Sequence, residues 1–192
     1  MSETVVAESK GEMVNPLTQF NELTTAAVME QLMLCCGAAR WVIRLAARRP
    51  FANLDQLRQT ADKLWWALEP VDWREAFSHH PKIGDLASLR TKFATTEKWA
   101  VSEQGAVRGA TEELLTELAA GNAAYEAKFG YIFIVCATGK SAEEMLALLK
   151  QRLPNEPAIE LRIAAEEQRK IMQLRLTKLL DELRVAPTAQ QP

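Results

Sequence analysis

Asn53 followed by Leu54-Asp55-Gln56-Leu57-Arg58-Gln59-Thr60-Ala61-Asp62-Lys63-Leu64-Trp65-Trp66-Ala67-Leu68 sets the class of the fold. Leu54, Leu57, Ala61, Leu64, Trp65 and Leu68 recur at three- and four-residue spacing, which places them on one face of a helix. Asn53 supplies a side-chain oxygen where the first free N–H groups of that helix need an acceptor. The same grammar repeats on both sides. Upstream, a loose leader is followed by Pro16–Asn21, then by Thr24 or Thr25 as cap for Ala26–Cys36, stopped by Gly37; a helix over Ala38–Arg48 ends before Pro50. Downstream, Asp72 and Glu75 form an acidic capping box for Trp73–His79, which Pro81 terminates.

Pro81-Lys82-Ile83-Gly84-Asp85 reads as a turn, with short helices near Leu86–Phe93 and Thr96–Val107. Thr111 caps a helix reaching Phe129 with Gly130 past its end, Ser141 and Glu144 box Ala142–Leu153, and a last helix runs from about Ala158 to Leu183. Only Tyr131-Ile132-Phe133-Ile134-Val135-Cys136-Ala137 has strand composition. It lacks a pairing partner and reads as a buried helix start or an extended core segment. The expectation is an all-α, single-domain compact bundle of about eight helices over 16–184, with a flexible leader 1–15 and tail 185–192.

The chain has 192 residues, 48% hydrophobic and 25% charged, with a formal net charge of −2. That length suits one domain with a self-sufficient core. The charge gives no reason to expect nucleic acid or an anionic membrane as partner, and no apolar run is long enough to span a bilayer. Cys35, Cys36 and Cys136 do not make a disulfide framework, and the adjacent pair reads as small core residues of a reducing compartment. The first dozen residues lack the profile of a signal peptide, so a cytoplasmic location is expected.

Several chemistries are excluded. Thr138-Gly139-Lys140-Ser141 matches the end of a phosphate loop, but Ile134 stands where that motif needs glycine. The two histidines, His79 and His80, are adjacent and project about 100° apart on a helix, which is unsuited to a shared metal. There is no nucleophile elbow. Acid–base chemistry on a bound small molecule remains.

Three side chains stand out for it. His80 sits against Pro81, which restricts its backbone, and imidazole titrates near neutrality; it is otherwise a helix-terminal histidine facing the dipole. His79 lacks the proline restraint and is the weaker candidate. Glu103, beside Gln104, falls between Trp99 and Val107 on an apolar stripe, where a carboxylate is desolvated or ion-paired. Arg175 shares a helical face with Ile171, Leu174 and Leu179; it is either a bidentate oxygen binder or a snorkelling cation. Glu166, Glu167, Arg169 and Lys170 read as a solvated face.

The ordered series Cys35-Cys36-Gly37 with Trp41, Arg49-Pro50-Phe51, His80-Pro81-Lys82-Ile83-Gly84-Asp85, Ser102-Glu103-Gln104-Gly105, Asn122 through Tyr125 to Ile134, Arg152-Leu153, and Ile171 through Arg175-Leu176 resembles the 2-oxo-4-hydroxy-4-carboxy-5-ureidoimidazoline (OHCU) decarboxylase family. The resemblance covers about residues 17–183. It implies the third step from urate to allantoin, an all-helical fold, a homodimer, and no metal or organic cofactor. By the same resemblance His80 is the catalytic residue. Substrate contacts fall on Pro81, Glu103, Gln104, Arg175 and the backbone of Phe133, Ile134, Val135, Cys136 and Ala137.

One position departs from the pattern. Many members of the family carry serine where this chain has Ala100, whereas Ser102 immediately precedes Glu103. Two other readings are weighed against decarboxylation. A helical small-molecule-binding regulator would want a basic recognition helix, and a ureide-ring hydrolase of the same pathway would want an activated water.

Overall fold

A computed structural model describes residues 15–80 and 111–185. Among them are eight helices and no strand: α1 (Pro16–Glu22), α2 (Thr25–Cys35), α3 (Ala39–Ala46), α4 (Leu54–Trp66), α5 (Pro70–Ser78), α6 (Glu112–Phe129), α7 (Ala142–Arg152) and α8 (Pro157–Val185). The expected all-α class is what the structure has. The helices expected near Leu86–Phe93 and Thr96–Val107, and most of the leader and of the tail, lie outside the described residues.

The caps explain most of the boundaries. Thr24, Asn53, Thr111 and Ser141 each accept a backbone N–H of the following first turn through their side chains. Gly130 ends α6 at φ 76°, in the left-handed region where a Cβ is penalised. One boundary differs from expectation. α5 starts at Pro70, a residue whose fixed φ suits a first helical position, so the N-cap is Glu69 and not Asp72. Asp72 is instead the third helical residue, where its carboxylate accepts the Glu69 N–H at 3.0 Å and an Arg40 N–H at 3.0 Å.

α8 is the spine. Its 29 residues extend about 43 Å, and α1, α2, α4 and α5 all pack along it. The row Glu160, Ala164, Gln168, Met172, Leu176, Leu180, four residues apart, is buried throughout. Around it the main core gathers Phe20, Leu32, Trp41, Leu45, Leu57, Trp65, Phe77 and Tyr125. The large indoles are satisfied as well as buried: Trp41 donates to Ala61 O, Trp65 to Ala165 O and Trp73 to Trp65 O, at 3.0–3.1 Å. A smaller cluster, Leu115, Leu118, Ala142, Met145 and Leu146, joins α6 to α7.

The motif Arg49-Pro50-Phe51 is architectural. Arg49 Nη1 donates to the carbonyls of Phe20, Asn21 and Leu23, which closes the end of α1. Asn21 in turn clamps Phe51 through both its N–H and its C=O.

A buried polar network ties α6, α7 and α8 together. Arg152 donates to Glu160 Oε1 from Nε at 2.8 Å and from Nη2 at 2.6 Å, and Tyr125 donates its hydroxyl to the same oxygen. Asn155 donates to the other oxygen at 2.7 Å. Glu160 has no exposed surface. Removing one member strands a charge in the core, so Glu160→Ala should lower unfolding free energy by about 3–5 kcal/mol, whereas replacing both charges (Arg152→Met with Glu160→Leu) should cost less. Urea denaturation of the variants measures the difference, and the paired replacement coming out worse than Glu160→Ala would contradict the account.

Candidate active site

α5 ends at Ser78, and His79 and His80 continue it as a tight turn, their N–H groups bonded to Ala76 O and Phe77 O at 3.3 and 3.2 Å. The turn is held from two sides. Phe77 packs against Tyr131 with ring centroids 5.1 Å apart and the planes tilted by 44°, which brings the end of α5 against the start of the 131–137 segment. On the other side lies Gly37. A Cβ placed there would come within 2.5 Å of both Cβ and Cγ of His79. α2 already ends at Cys35, with Cys36 extended at φ −148°. Gly37 therefore does not stop the helix as the sequence suggested; it is glycine because His79 packs onto it.

His79 is exposed and His80 half-buried. The His80 ring points to α8, where its Nε2 lies 2.5 Å from Oε1 of Gln168. Gln168 has no exposed surface.

Tyr131 through Ala137 is neither helix nor strand, so it is not the helix start that was one of the two forms expected for it. Its backbone is held by side chains of α7, α8 and the turn that follows it, in place of a sheet. Arg152 Nη1 donates to Ile134 O at 2.8 Å, its guanidinium lies over the Phe133 ring at 4.6 Å, and Lys140 Nζ donates to Cys136 O at 2.7 Å. The Cys136 N–H donates to Glu167 at 2.8 Å. Burial pushes the Glu167 carboxyl up, but hydrogen bonds from Lys170 and the Cys136 N–H outweigh it, and the group is held below the usual carboxylate range. Glu167 thus leaves the solvated face to which its neighbours suggested it belonged. So in part does Arg169, which bridges Glu166 and Asp62 of α4.

Arg175 lies seven residues beyond Gln168, nearly the same face of α8 and about 10 Å further along. It is half-buried and donates to Leu34 O at the end of α2, at 3.1 Å. Leu174, expected to share its packed face, is 48% exposed. The buried row runs instead through Met172 and Leu176. Nearby, burial pushes the Cys35 thiol up to about 12, only partly opposed by the Arg175 charge, and Cys36 is likewise pushed up to about 12 by burial. Neither is a thiolate nucleophile at neutral pH.

The structure therefore brings His80 and the 133–137 segment to adjacent residues of α8, Gln168 and Glu167, with Arg175 two turns away. Pro81, Glu103 and Gln104 fall outside the described residues. Among the described residues no three His, Cys, Asp or Glu side chains are grouped to hold a metal ion, and no helix is long and apolar enough to cross a membrane. An open groove between α1, the turn before α4 and the far end of α8, lined by Pro16, Asn53, Asp55, Arg58 and Arg184, contains none of the expected site residues.

The family model described as OHCU decarboxylase matches residues 21–177. The chain belongs to the OHCU decarboxylase family. It is 39% identical over 157 residues to the uric acid degradation bifunctional protein TTL of Arabidopsis thaliana, covering 80% of this chain and 47% of that one. It therefore spans about half the length of that relative. It is 37% identical over 141 residues to the 2-oxo-4-hydroxy-4-carboxy-5-ureidoimidazoline decarboxylase of Amia calva, covering 69% and 75% of the two chains. A crystal structure of OHCU decarboxylase in the presence of (S)-allantoin superposes with a TM-score of 0.65 at 35% identity, over 79% of this chain and 98% of the other.

Within this member of the OHCU decarboxylase family, the seat of the His79–His80 turn on Gly37 is directly testable. Gly37→Ala should overpack the contact and destabilise by about 1–3 kcal/mol. His79→Gly, which removes the atoms the new methyl meets, should recover part of that loss in a double-mutant cycle. Strict additivity of the two in denaturant unfolding would show that the two residues do not bear on each other.

Proposed function

We propose that this chain decarboxylates OHCU to (S)-allantoin and carbon dioxide, the third step from urate to allantoin, with His80 as the catalytic acid–base residue. The observation that carries the reading is the placement of His80: half-buried, at a turn fixed on both sides, and hydrogen-bonded to a fully buried side chain of α8. Family membership supplies the reaction. The same family reading extends the proposal to a homodimer in the cytoplasm.

In the substrate, a carboxylate and a hydroxyl share one carbon of a five-membered ureide ring. The bond from that carbon to the carboxylate breaks, carbon dioxide leaves, and the electron pair passes into the adjacent conjugated ring. The enol-like intermediate then takes a proton on one face. His80 manages the protons at that carbon, a contribution of about 10²–10⁴ in rate. Arg175 holds oxygen-bearing groups and stabilises the charge that develops on them. Pro81, Glu103 and Gln104 complete the substrate contacts, with Glu103 and Gln104 binding ring and ureido groups. The backbone of Phe133, Ile134, Val135, Cys136 and Ala137 offers the substrate those main-chain groups that are not already bonded to Arg152, Lys140 and Glu167. A backbone contact needs a rigid backbone, which the bonds from Arg152, Lys140 and Glu167 provide.

The test is incubation with freshly generated OHCU. Decarboxylation releases carbon dioxide and yields allantoin with the circular dichroism of the S enantiomer. Hydrolysis would release no carbon dioxide, and a ligand-binding regulator would leave the spontaneous, racemic decay unchanged. His80→Asn should remain folded and fall to near the spontaneous rate, while His79→Ala keeps most activity. An active His80→Asn enzyme would sink the assignment.

Arg175→Lys keeps the charge and loses the planar fork, so kcat/KM should drop at least about tenfold. A decrease of only a few-fold would leave Arg175 with its structural bond to Leu34. Dialysis against a chelator should leave the rate unchanged, and a rate that fell on metal removal and returned on metal addition would show that the site had been misread.

A further inference from the structure

The contact between His80 and Gln168 has a feature that packing alone does not explain. Gln168 sits in the buried row of α8, with Ala164 four residues before it and Met172 four residues after. A glutamine side chain offers two donor hydrogens and two acceptor sites. Here the carboxamide makes one hydrogen bond, from Oε1 to the His80 ring, and its Nε2 is buried without a partner. A buried amide nitrogen left in that state is destabilising, and a leucine or methionine in the row would avoid it. The residue contributes to this fold only one polar interaction, and that interaction is with the histidine.

We propose that Gln168 is the positioning residue of His80. The carboxamide oxygen can only accept, so the ring nitrogen facing it must carry a proton. The neutral imidazole is thereby held as the Nε2–H tautomer, with its lone pair on Nδ1. Because α8 is clamped by the buried Arg152–Glu160 pair, the acceptor does not move with the turn that bears His80. The ring is fixed in orientation and in tautomer before substrate arrives. The inference rests on the reading of His80 as the acid–base residue, but its first test does not.

That test is long-range proton–nitrogen correlation of the histidine rings in the ¹⁵N-histidine-labelled full chain, with exposed His79 as the internal comparison. His80 should show the pattern of a single Nε2–H tautomer, and His79 the averaged pattern of a free ring. A wild-type His80 ring protonated at Nδ1, or averaging between tautomers, would overturn the proposal whether or not the enzyme decarboxylates OHCU.

The second test uses Gln168→Met and Gln168→Glu, each first shown to be folded by thermal unfolding. Gln168→Met should let the His80 ring average and lower kcat at least about tenfold with KM within about threefold, the signature of misplaced reacting groups. Gln168→Glu restores an acceptor and adds a charge that favours imidazolium. The His80 titration should therefore move to higher pH by about one unit or more, and the corresponding limb of the pH–rate profile should move with it. Unchanged His80 nitrogen shifts in both variants would overturn the inference. An NMR shift in Gln168→Glu with no parallel shift of the rate profile would keep the hydrogen bond and discard His80 as the catalytic group, which separates the failure of the two readings.

Discussion

The Arg152–Glu160 pair is the constraint on which the rest of the site depends. A carboxylate with no solvent contact is tolerable only when several donors reach it, and here four converge: two from Arg152, one each from Tyr125 and Asn155. Those donors come from α7, α6 and the turn before α8, so satisfying one charge fixes three elements against the start of the spine. The remaining guanidinium nitrogen does a further task by donating to Ile134 O. A segment with the composition of a strand but no strand to pair with among the described residues is thereby given partners for its backbone, which a packed segment outside the helices must have.

From that anchor α8 works as a ruler. Glu160, Glu167 and Gln168, and Arg175 recur at about two-turn intervals, roughly 10 Å apart on neighbouring faces. The first holds Arg152, the next two hold the 133–137 backbone and His80, and the last closes the end of α2. The loops that carry the proposed chemistry are therefore referenced to one rigid element. A site built this way does not need the loops to be stiff in themselves. It needs α8 to be straight and its neighbours in register, and the packing of Phe77 against Tyr131 together with the seat of His79 on Gly37 provides the second attachment of the turn.

The helices were legible because their signals are local. Asn53, Thr24, Thr111 and Ser141 name helix starts by their own side chains, and Gly130 names an end by its backbone. Where two local signals compete, the reading slips. Asp72 looks like a cap until Pro70 is recognised as a first-turn residue, and Gly37 looks like a helix stop because its close neighbour, His79, is 42 positions away in sequence. Nothing near Gly37 in the chain announces that contact. His80 and Arg175 are singled out by the family resemblance more than by spacing, since each has an ordinary local explanation.

Gln168 is legible in principle from the angular arrangement of its helix. Reading Glu166, Glu167, Arg169 and Lys170 as a solvated face groups residues by neighbourhood, whereas a helix sorts them by angle. Placed on the four-residue row from Glu160 to Leu180, Gln168 is a polar residue flanked by Ala164 and Met172, the same pattern that draws attention to Glu103 between Trp99 and Val107. Glu160 breaks the apolar pattern in that row too, and the comparison between them is instructive. Glu160 is fully satisfied, so its presence is accounted for by the architecture it assembles. Gln168 is only half satisfied, and architecture gives no reason to prefer it over an apolar side chain. When one of two polar residues in the same buried row is explained by folding and the other is not, the second is where a requirement other than stability has acted. Its one hydrogen bond points to the histidine.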